Sequence, residues 1–241
     1  MKKIGRLINR LTFGVLLKRP NLSYVRFFRD YVRYRRMARV DFLDLQPCLG
    51  EGGDHPIGHI YFYQDTWCAG KVVEAKPPLH VDVGSTALLV GILSKFTKII
   101  SVEIRPLDVT LPNLECRTGD STNLPFPDAS IHSLSSICVI EHIGLGRYGD
   151  KLDSLGTEKT IKEFQRVLAP NGNLYVSVPI GREDKTYFNA QRNFEVDGFI
   201  RRFDECDLKE ILYLQGNHMT ADVSTINFDH EAIGLFHFGK R

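Results

Sequence analysis

At 241 residues, with 43% hydrophobic and 25% charged side chains, the chain has the composition of a soluble globular protein, long enough for one α/β domain with an appendage. Its five cysteines (Cys48, Cys68, Cys116, Cys138, Cys206) show no Cys-x-x-Cys spacing, which argues against a disulfide framework or structural zinc site and for a reducing cytoplasm. No run approaches the ~20 apolar residues that span a bilayer, and Arg6 and Arg10 interrupt the N-terminal apolar run, against a secretory signal.

The net charge of +2 conceals an asymmetry. Residues 1–40 hold twelve Lys/Arg against one acid, Asp30, for +11; the remaining nineteen bases and twenty-eight acids give −9. A basic module is joined to an acidic body. Ile4, Leu7, Ile8, Leu11 and Val15 keep the 3.6-residue period of a short amphipathic helix, which Pro20-Asn21 interrupts. A second helix is expected over 22–37, with Tyr24, Phe27, Phe28 and Tyr31 on one face and five arginines around it. Either its aromatic face packs on the main domain, or the arm attaches to an anionic surface. The cytoplasmic membrane leaflet is the favoured surface and RNA phosphate the weaker alternative. The Gly/Pro/Asp-rich stretch 50–58 suggests the module boundary, giving a basic helical extension over 1–48 and an α/β domain over 49–241.

The aromatic stretch 60–67 leads into an apolar run, 79–83, that breaks at Gly84-Ser85. A helix is expected over 86–96 and a second strand over 98–103, ending on Glu103. Further strands are expected at 114–117 and 131–137. A helix follows, with Ile161, Phe164, Val167 and Leu168 on one face and Pro170-Asn171-Gly172 as its stop. The fifth strand, 174–178, is closed by Pro179. The tail reads as a helix over 207–214, then strands over 219–226 and 233–238 forming an antiparallel hairpin at the sheet edge. This alternation implies a mainly parallel sheet covered on both faces.

Asp82, Glu103 and Asp120 stand at or just past successive strand ends, where an open parallel sheet binds ligands. The turn after the first strand offers backbone amides at a helix N-terminus. The acid at the second strand's tip can accept hydrogen bonds from both hydroxyls of a ribose. The segment Thr118-Gly-Asp-Ser-Thr-Asn-Leu-Pro-Phe-Pro-Asp128 resembles the third-strand region of class I S-adenosylmethionine-dependent methyltransferases. Leu134-Ser-Ser-Ile-Cys-Val-Ile-Glu-His-Ile143 is similar to that family's fourth strand, and Arg166-Val-Leu-Ala-Pro-Asn-Gly-Asn-Leu-Tyr-Val-Ser-Val-Pro179 to its last helix and fifth strand.

The resemblance covers roughly residues 75–240 and implies a Rossmann-like, mainly parallel seven-stranded sheet with helices on both faces. It implies S-adenosylmethionine as cofactor, held by Asp82, Gly84, Ser85, Glu103, Ile104, Asp120, Ser121, Ser136 and Cys138. Closer similarity is to a functionally uncharacterised branch associated with bacterial surface-polysaccharide gene sets. Its hallmarks are resembled by His80-Val-Asp-Val-Gly-Ser85, Glu141-His-Ile-Gly-Leu-Gly-Arg-Tyr-Gly-Asp150, Phe188-Asn-Ala-Gln-Arg192 and Tyr63-Gln-Asp-Thr-Trp67. One departure stands out. Thr86, Ala87 and Leu88 occupy the place of the broad family's second glycine, so the pocket is expected to be tighter at the methionine end.

Methyl transfer is an in-line displacement, and a hydroxyl acceptor also calls for a base. Glu141 and His142 follow the fourth strand where the acceptor should enter, and His142 is the expected base. The plainer alternative is that both only tie the loop together. Arg147, Tyr148, Asp150, Asn189 and Arg192, with Gln64 and Asp65 upstream, are the expected acceptor contacts. His80 is expected to be structural, and no metal site is expected, because His142 and Asp150 fit no ligand spacing. The resulting reading is a methyltransferase acting on a small-molecule or glycan acceptor, with the arm at the membrane. An RNA methyltransferase is the second reading, although no Asn-Pro-Pro-Tyr motif follows the fourth strand. A non-catalytic Rossmann-like scaffold or ligand-binding protein is the third.

Overall fold

The computed structural model describes residues 22–37 and 58–241. The helix expected near Ile4–Val15, the loop 50–57 and the boundary at 48/49 lie outside the described residues. The chain divides into two units, 1–56 and 57–241. In the first, the described element is helix α1 (Leu22–Tyr34), followed by a turn over 35–37.

The second unit opens with α2 (His59–Ala75), which takes in the aromatic stretch. Then come β1 (Leu79–Val83), α3 (Ala87–Leu93), β2 (Lys98–Glu103), β3 (Leu114–Thr118) and β4 (Ile131–Ile137). Thr86 caps α3 by accepting the Leu89 N–H at 3.2 Å. A 3₁₀ turn (Ile140–His142) leads through a loop to α4 (Gly156–Val167). β5 (Leu168–Gly181), β6 (Lys185–Tyr187), β7 (Gln191–Glu195), α5 (Val196–Arg201), β8 (Cys206–Gln215), β9 (His218–Thr220) and β10 (Ala232–Lys240) complete it.

The main path across the sheet is β3-β2-β1-β4-β5-β10-β8-β9, with β7 beside the end of β5 and β6 beside β7. From β3 to β5 every pairing is parallel. Beyond β5, β10 and β8 run antiparallel. The sheet is therefore mixed, with ten strands among the described residues rather than seven. Chain order reverses between β1 and β4, which opens a crevice beyond their carboxyl ends.

Each face of the sheet carries its own core. Under α4 and α5, Ile161, Phe164 and Phe199 meet Val81, Leu134, Val176, Phe236 and Phe238. Under α2 and α3, Trp67, Val72, Leu89 and Leu93 meet Ile99, Ile137, Tyr175 and Leu235.

The tail departs from expectation at three places. Residues 207–214 are strand, not helix. Leu208, Ile211 and Leu212 mimic a helical stripe because the strand carries an extra residue: Phe238 pairs with Leu208 and His237 with Glu210, leaving Lys209 without a partner. Past that bulge the two-residue period returns, with Ile211 and Tyr213 on one face and Leu212 and Leu214 on the other. The antiparallel neighbours of β10 are thus β5 and β8, and the expected strand over 219–226 shrinks to β9 and a 3₁₀ turn (Val223–Thr225).

Pro179 does not close β5, which runs on to Gly181. Ser177 faces β4, since its carbonyl accepts the Cys138 N–H at 3.0 Å, and Pro179 has the same parity. β4 has ended there, so the missing proline N–H leaves no ladder bond unmade.

Candidate active site

The crevice is organised by the turn after β1. Gly84 has φ +78°, and a Cβ there would stand 2.8 Å from Val139 Cγ1, so a side chain is excluded on both counts. Asp82, fully buried, ties the turn down. It accepts the Ser85 N–H at 3.1 Å, the Ser85 hydroxyl at 2.6 Å and the Ser135 hydroxyl in a short bond. Ser85 Oγ in turn accepts the Ile137 N–H at 3.0 Å. Ser136 Oγ donates to the Val83 carbonyl at 2.9 Å.

Behind Asp82, His80 lies between Ser133 (2.7 Å) and Ser135 (2.9 Å). Ser135 spends its proton on Asp82, so His80 Nε2–H donates to Ser135 and Nδ1 accepts from Ser133. Burial pushes His80 down to about 3, so it stays neutral. Burial pushes Asp82 up to about 6 against the opposing hydrogen bonds from Ser135 and Ser85. Asp82 and Ser136 do not line the crevice. They build its wall from behind.

A cavity of about 720 Å³ opens over this turn, within the range of small-molecule sites. Gly84, Ser85, Glu103, Ile104, Asp120, Ser121 and Cys138 all line it. Glu103, at the end of β2, makes no side-chain hydrogen bond or ion pair with any described residue. Burial raises its pKa first and the charge of Asp82 second, with Arg105 opposing. Asp120 holds its own turn through Oδ1, which accepts the Thr122 N–H at 2.8 Å and its hydroxyl at 2.7 Å. Ser121 is buried and bonded to Thr160 Oγ1 at 3.0 Å.

Of the three residues expected to crowd the pocket, Thr86 alone lines it. Ala87 is exposed, and Leu88, at 70% exposure, is not among the residues lining the cavity. Thr86 donates to Asp65 Oδ2 at 2.7 Å.

The opposite wall is the loop after β4. Asp150 organises it by accepting the N–H groups of Gly144 (2.8 Å), Gly146 (3.3 Å) and Tyr148 (3.3 Å). At Gly144, with φ +80°, a Cβ would fall 2.0 Å from the Asp153 carbonyl oxygen. His142 Nδ1–H donates to the Ala190 carbonyl at 2.7 Å, which leaves Nε2 with its lone pair. The ring meets Tyr148 edge to face at 5.4 Å. Burial lowers the His142 pKa, the Ala190 bond partly opposing, so the ring is neutral near pH 7.

Glu141 is 1% exposed, with Oε1 3.5 Å from His142 Nε2 and Oε2 lacking any hydrogen-bond partner. Burial raises it to about 8. It is therefore a neutral acid behind the histidine and does not line the cavity.

His142, Tyr148 and Asp150 line the cavity, whereas the other expected acceptor contacts do not. Arg147 donates to the Ala190 carbonyl at 3.1 Å. Arg192, 9% exposed, donates to the Ile143 carbonyl at 2.7 Å and holds the loop from outside. Asn189 is exposed in a left-handed turn. Gln64 is fully buried and accepts from Cys138 Sγ (3.0 Å) and Ser177 Oγ (3.1 Å). Cys138 itself stays protonated, its pKa raised by burial.

Among the cavity residues not foreseen are Tyr61, Arg105 and Lys159. Tyr61 stands one helical turn before Gln64 in the aromatic stretch, and Arg105 follows Glu103-Ile104, so both had a positional signal. Lys159, from the first turn of α4, had none.

The family profile described as "Caenorhabditis protein of unknown function, DUF268" matches residues 128–202, from just before β4 to the end of α5. No curated protein matches the chain. Among solved structures, the N-methyltransferase NodS from Bradyrhizobium japonicum WM9 superposes with a TM-score of 0.55 at 12% identity, covering 76% of this chain and 97% of that one. The fold is the Rossmann-like fold of these structures. A putative sarcosine dimethylglycine methyltransferase from Galdieria sulphuraria gives 0.54 at 13% identity, over 74% and 86% of the two chains. The [4+2]-cyclase SpnF gives 0.54 at 12% identity, over 73% and 81%. Such identities show the fold alone. A cyclase beside two methyltransferases makes the point that chemistry must be argued from the site.

Proposed function

We propose that the chain is an S-adenosylmethionine-dependent methyltransferase acting on a hydroxyl of a polar acceptor, of the glycan or polyol class. The observation that carries this reading is the unpaired Glu103 carboxylate facing a cavity beside the Gly84 turn. A carboxylate half withdrawn from water is costly without donors, and two vicinal ribose hydroxyls supply them. The cavity fits the cofactor in other respects. Backbone at Gly84 and Ser85 is open to close approach, Ile104 offers an apolar edge for adenine, and Asp120 keeps one carboxylate oxygen outside its own turn. Leu88, outside the cavity lining, does not stand in the way of the methionine part of such a cofactor.

When bound, S-adenosylmethionine supplies a methyl carbon made electrophilic by the adjacent positive sulfur. The residues of this chain position the acceptor and take its proton. Tyr61 and Tyr148 are half exposed at the cavity and present aromatic faces suited to the apolar side of a sugar ring. His142 Nε2 accepts the proton as the acceptor's O–H bond breaks. Its Nδ1–H bond to Ala190 fixes the tautomer required. Neutral Glu141 keeps a carboxylate charge away from His142 and so preserves a free imidazole.

The test uses methyl-labelled S-adenosylmethionine with a panel of sugar and amine acceptors. Label is expected in a base-stable ether, and His142→Ala should lower kcat about 100-fold or more while cofactor affinity changes little. The acidic limb of kcat should fall below the usual histidine pKa. Near-normal turnover in the variant removes the base, and label appearing only on amines overturns the hydroxyl acceptor.

A further inference from the structure

Helix α1 is not absorbed by the site. Its side chains form parallel stripes. Tyr24, Phe27 and Tyr31 are partly covered. Val25, Phe28 and Val32, spaced three and four apart, are exposed at 66%, 38% and 52%. Beside them on the wheel run Arg29 and Arg33, and Arg36 follows in the turn just past the helix. Asp30 is the one acid of the helix and is paired to Arg26 (3.6 Å) and Arg29 (3.0 Å). Arg33, Arg35 and Arg36 form no ion pair with a described residue. An exposed apolar stripe is thus held on a helix about 20 Å long, bordered by arginines that outnumber the one acid, Asp30, among its described residues.

We propose that α1 is an interfacial helix that lies along an anionic lipid surface. Val25, Phe28 and Val32 enter the acyl–headgroup boundary, and Arg29, Arg33 and Arg36 pair with lipid phosphates. The helix is too short to cross, and no described helix is long and apolar enough to do so. Lying in the interface is the arrangement that satisfies both stripes at once. The apolar stripe also separates lipid from nucleic acid. RNA would engage the arginines and stack on aromatic rings, but it offers nothing to two exposed valines or to Met37, exposed at 76% just past the helix. The charge of +11 over residues 1–40 adds long-range attraction to an anionic leaflet and none to a neutral one.

The test is vesicle flotation of the full chain with phosphatidylcholine alone and with phosphatidylcholine mixed with phosphatidylglycerol. Binding to the anionic vesicles alone is expected. It should be lost when salt rises from about 0.1 M to about 1 M, as the Debye length falls from ~10 Å to ~3 Å. Phe28→Ser/Val32→Ser should weaken binding about tenfold, and Arg29→Glu/Arg33→Glu/Arg36→Glu should abolish it. All of these side chains are exposed, Val32 and Arg29 by more than half, and unchanged circular dichroism verifies folding of each variant. Flotation by Phe28→Ser/Val32→Ser equal to wild type overturns the proposal. So does equal flotation on neutral vesicles, or salt-sensitive binding to single-stranded RNA with none to vesicles.

Discussion

Under α4 and α5 the sheet presents phenylalanine to phenylalanine. Phe199 lies 4.9 Å from Phe236, and Phe203 stacks on Phe238 at 4.3 Å. Under α2 and α3 the other face of the sheet presents, from β1, β4 and β5, His80, Asp82, Ser135 and Ser177, all fully buried. The alternation is that of the pleat: Val81 and Val83 face one way, His80 and Asp82 the other. The apolar face gains free energy from every ring it removes from water. The polar face pays desolvation and recovers it through hydrogen bonds, which hold the turn at Gly84 and the end of β4. Both faces bury an apolar core, and the polar residues of the second also shape the crevice.

Breaking the apolar face should cost most. Phe236→Ala is expected to lower stability by about 3–5 kcal/mol in denaturant titration while leaving ligand affinity intact in the molecules that remain folded. Gly84→Ala attacks the junction between the faces and the crevice. Its Cβ collides with Val139 and its φ is left-handed, so a loss of roughly 1–2 kcal/mol is expected together with loss of S-adenosylhomocysteine binding. A variant that binds normally would show that the turn does not touch the ligand.

The smallest effect is a slope. Asp82 has a pKa raised from 3.8 to about 6, so its favourable contribution is complete below about pH 4 and is lost as pH rises to about 6. His80 is lowered from 6.5 to about 3, so its contribution is present above pH 6.5 and is lost as pH falls. Between about pH 4 and 6 the two nearly cancel. Asp82→Asn removes the falling limb, so its stability relative to wild type should rise by ~1.4 kcal/mol per pH unit across that window, the burial-raised Glu141 contributing alike to both proteins. A variant profile that runs parallel to that of wild type contradicts the network.

The difference between the faces also explains what was legible in the sequence. The β1–α3–β2 unit could be read because its period and its Gly84-Ser85 break are local. The roles of the acids could not. Asp82 turns inward because Ser135, fifty-three residues later, donates to it, whereas Glu103 meets no such partner. Arg192 resembles a substrate clamp until the Ile143 carbonyl is seen to occupy it. β8 was hidden by the bulge at Lys209, which shifts the alternation out of phase and leaves a helical stripe. Where a residue's partner is distant in the chain, its type and spacing alone do not reveal which way it points.

Under the proposed function, Glu103, without a side-chain hydrogen bond or ion pair among the described residues, grips the ribose of a nucleoside beside Gly84. Calorimetric titration with S-adenosylhomocysteine tests it most directly. Saturable binding to the wild-type chain is expected, weakened about 10–100-fold by Glu103→Ala through loss of hydrogen bonds to a charged group. Absence of heat at millimolar ligand, or equal affinity in the two proteins, would contradict it.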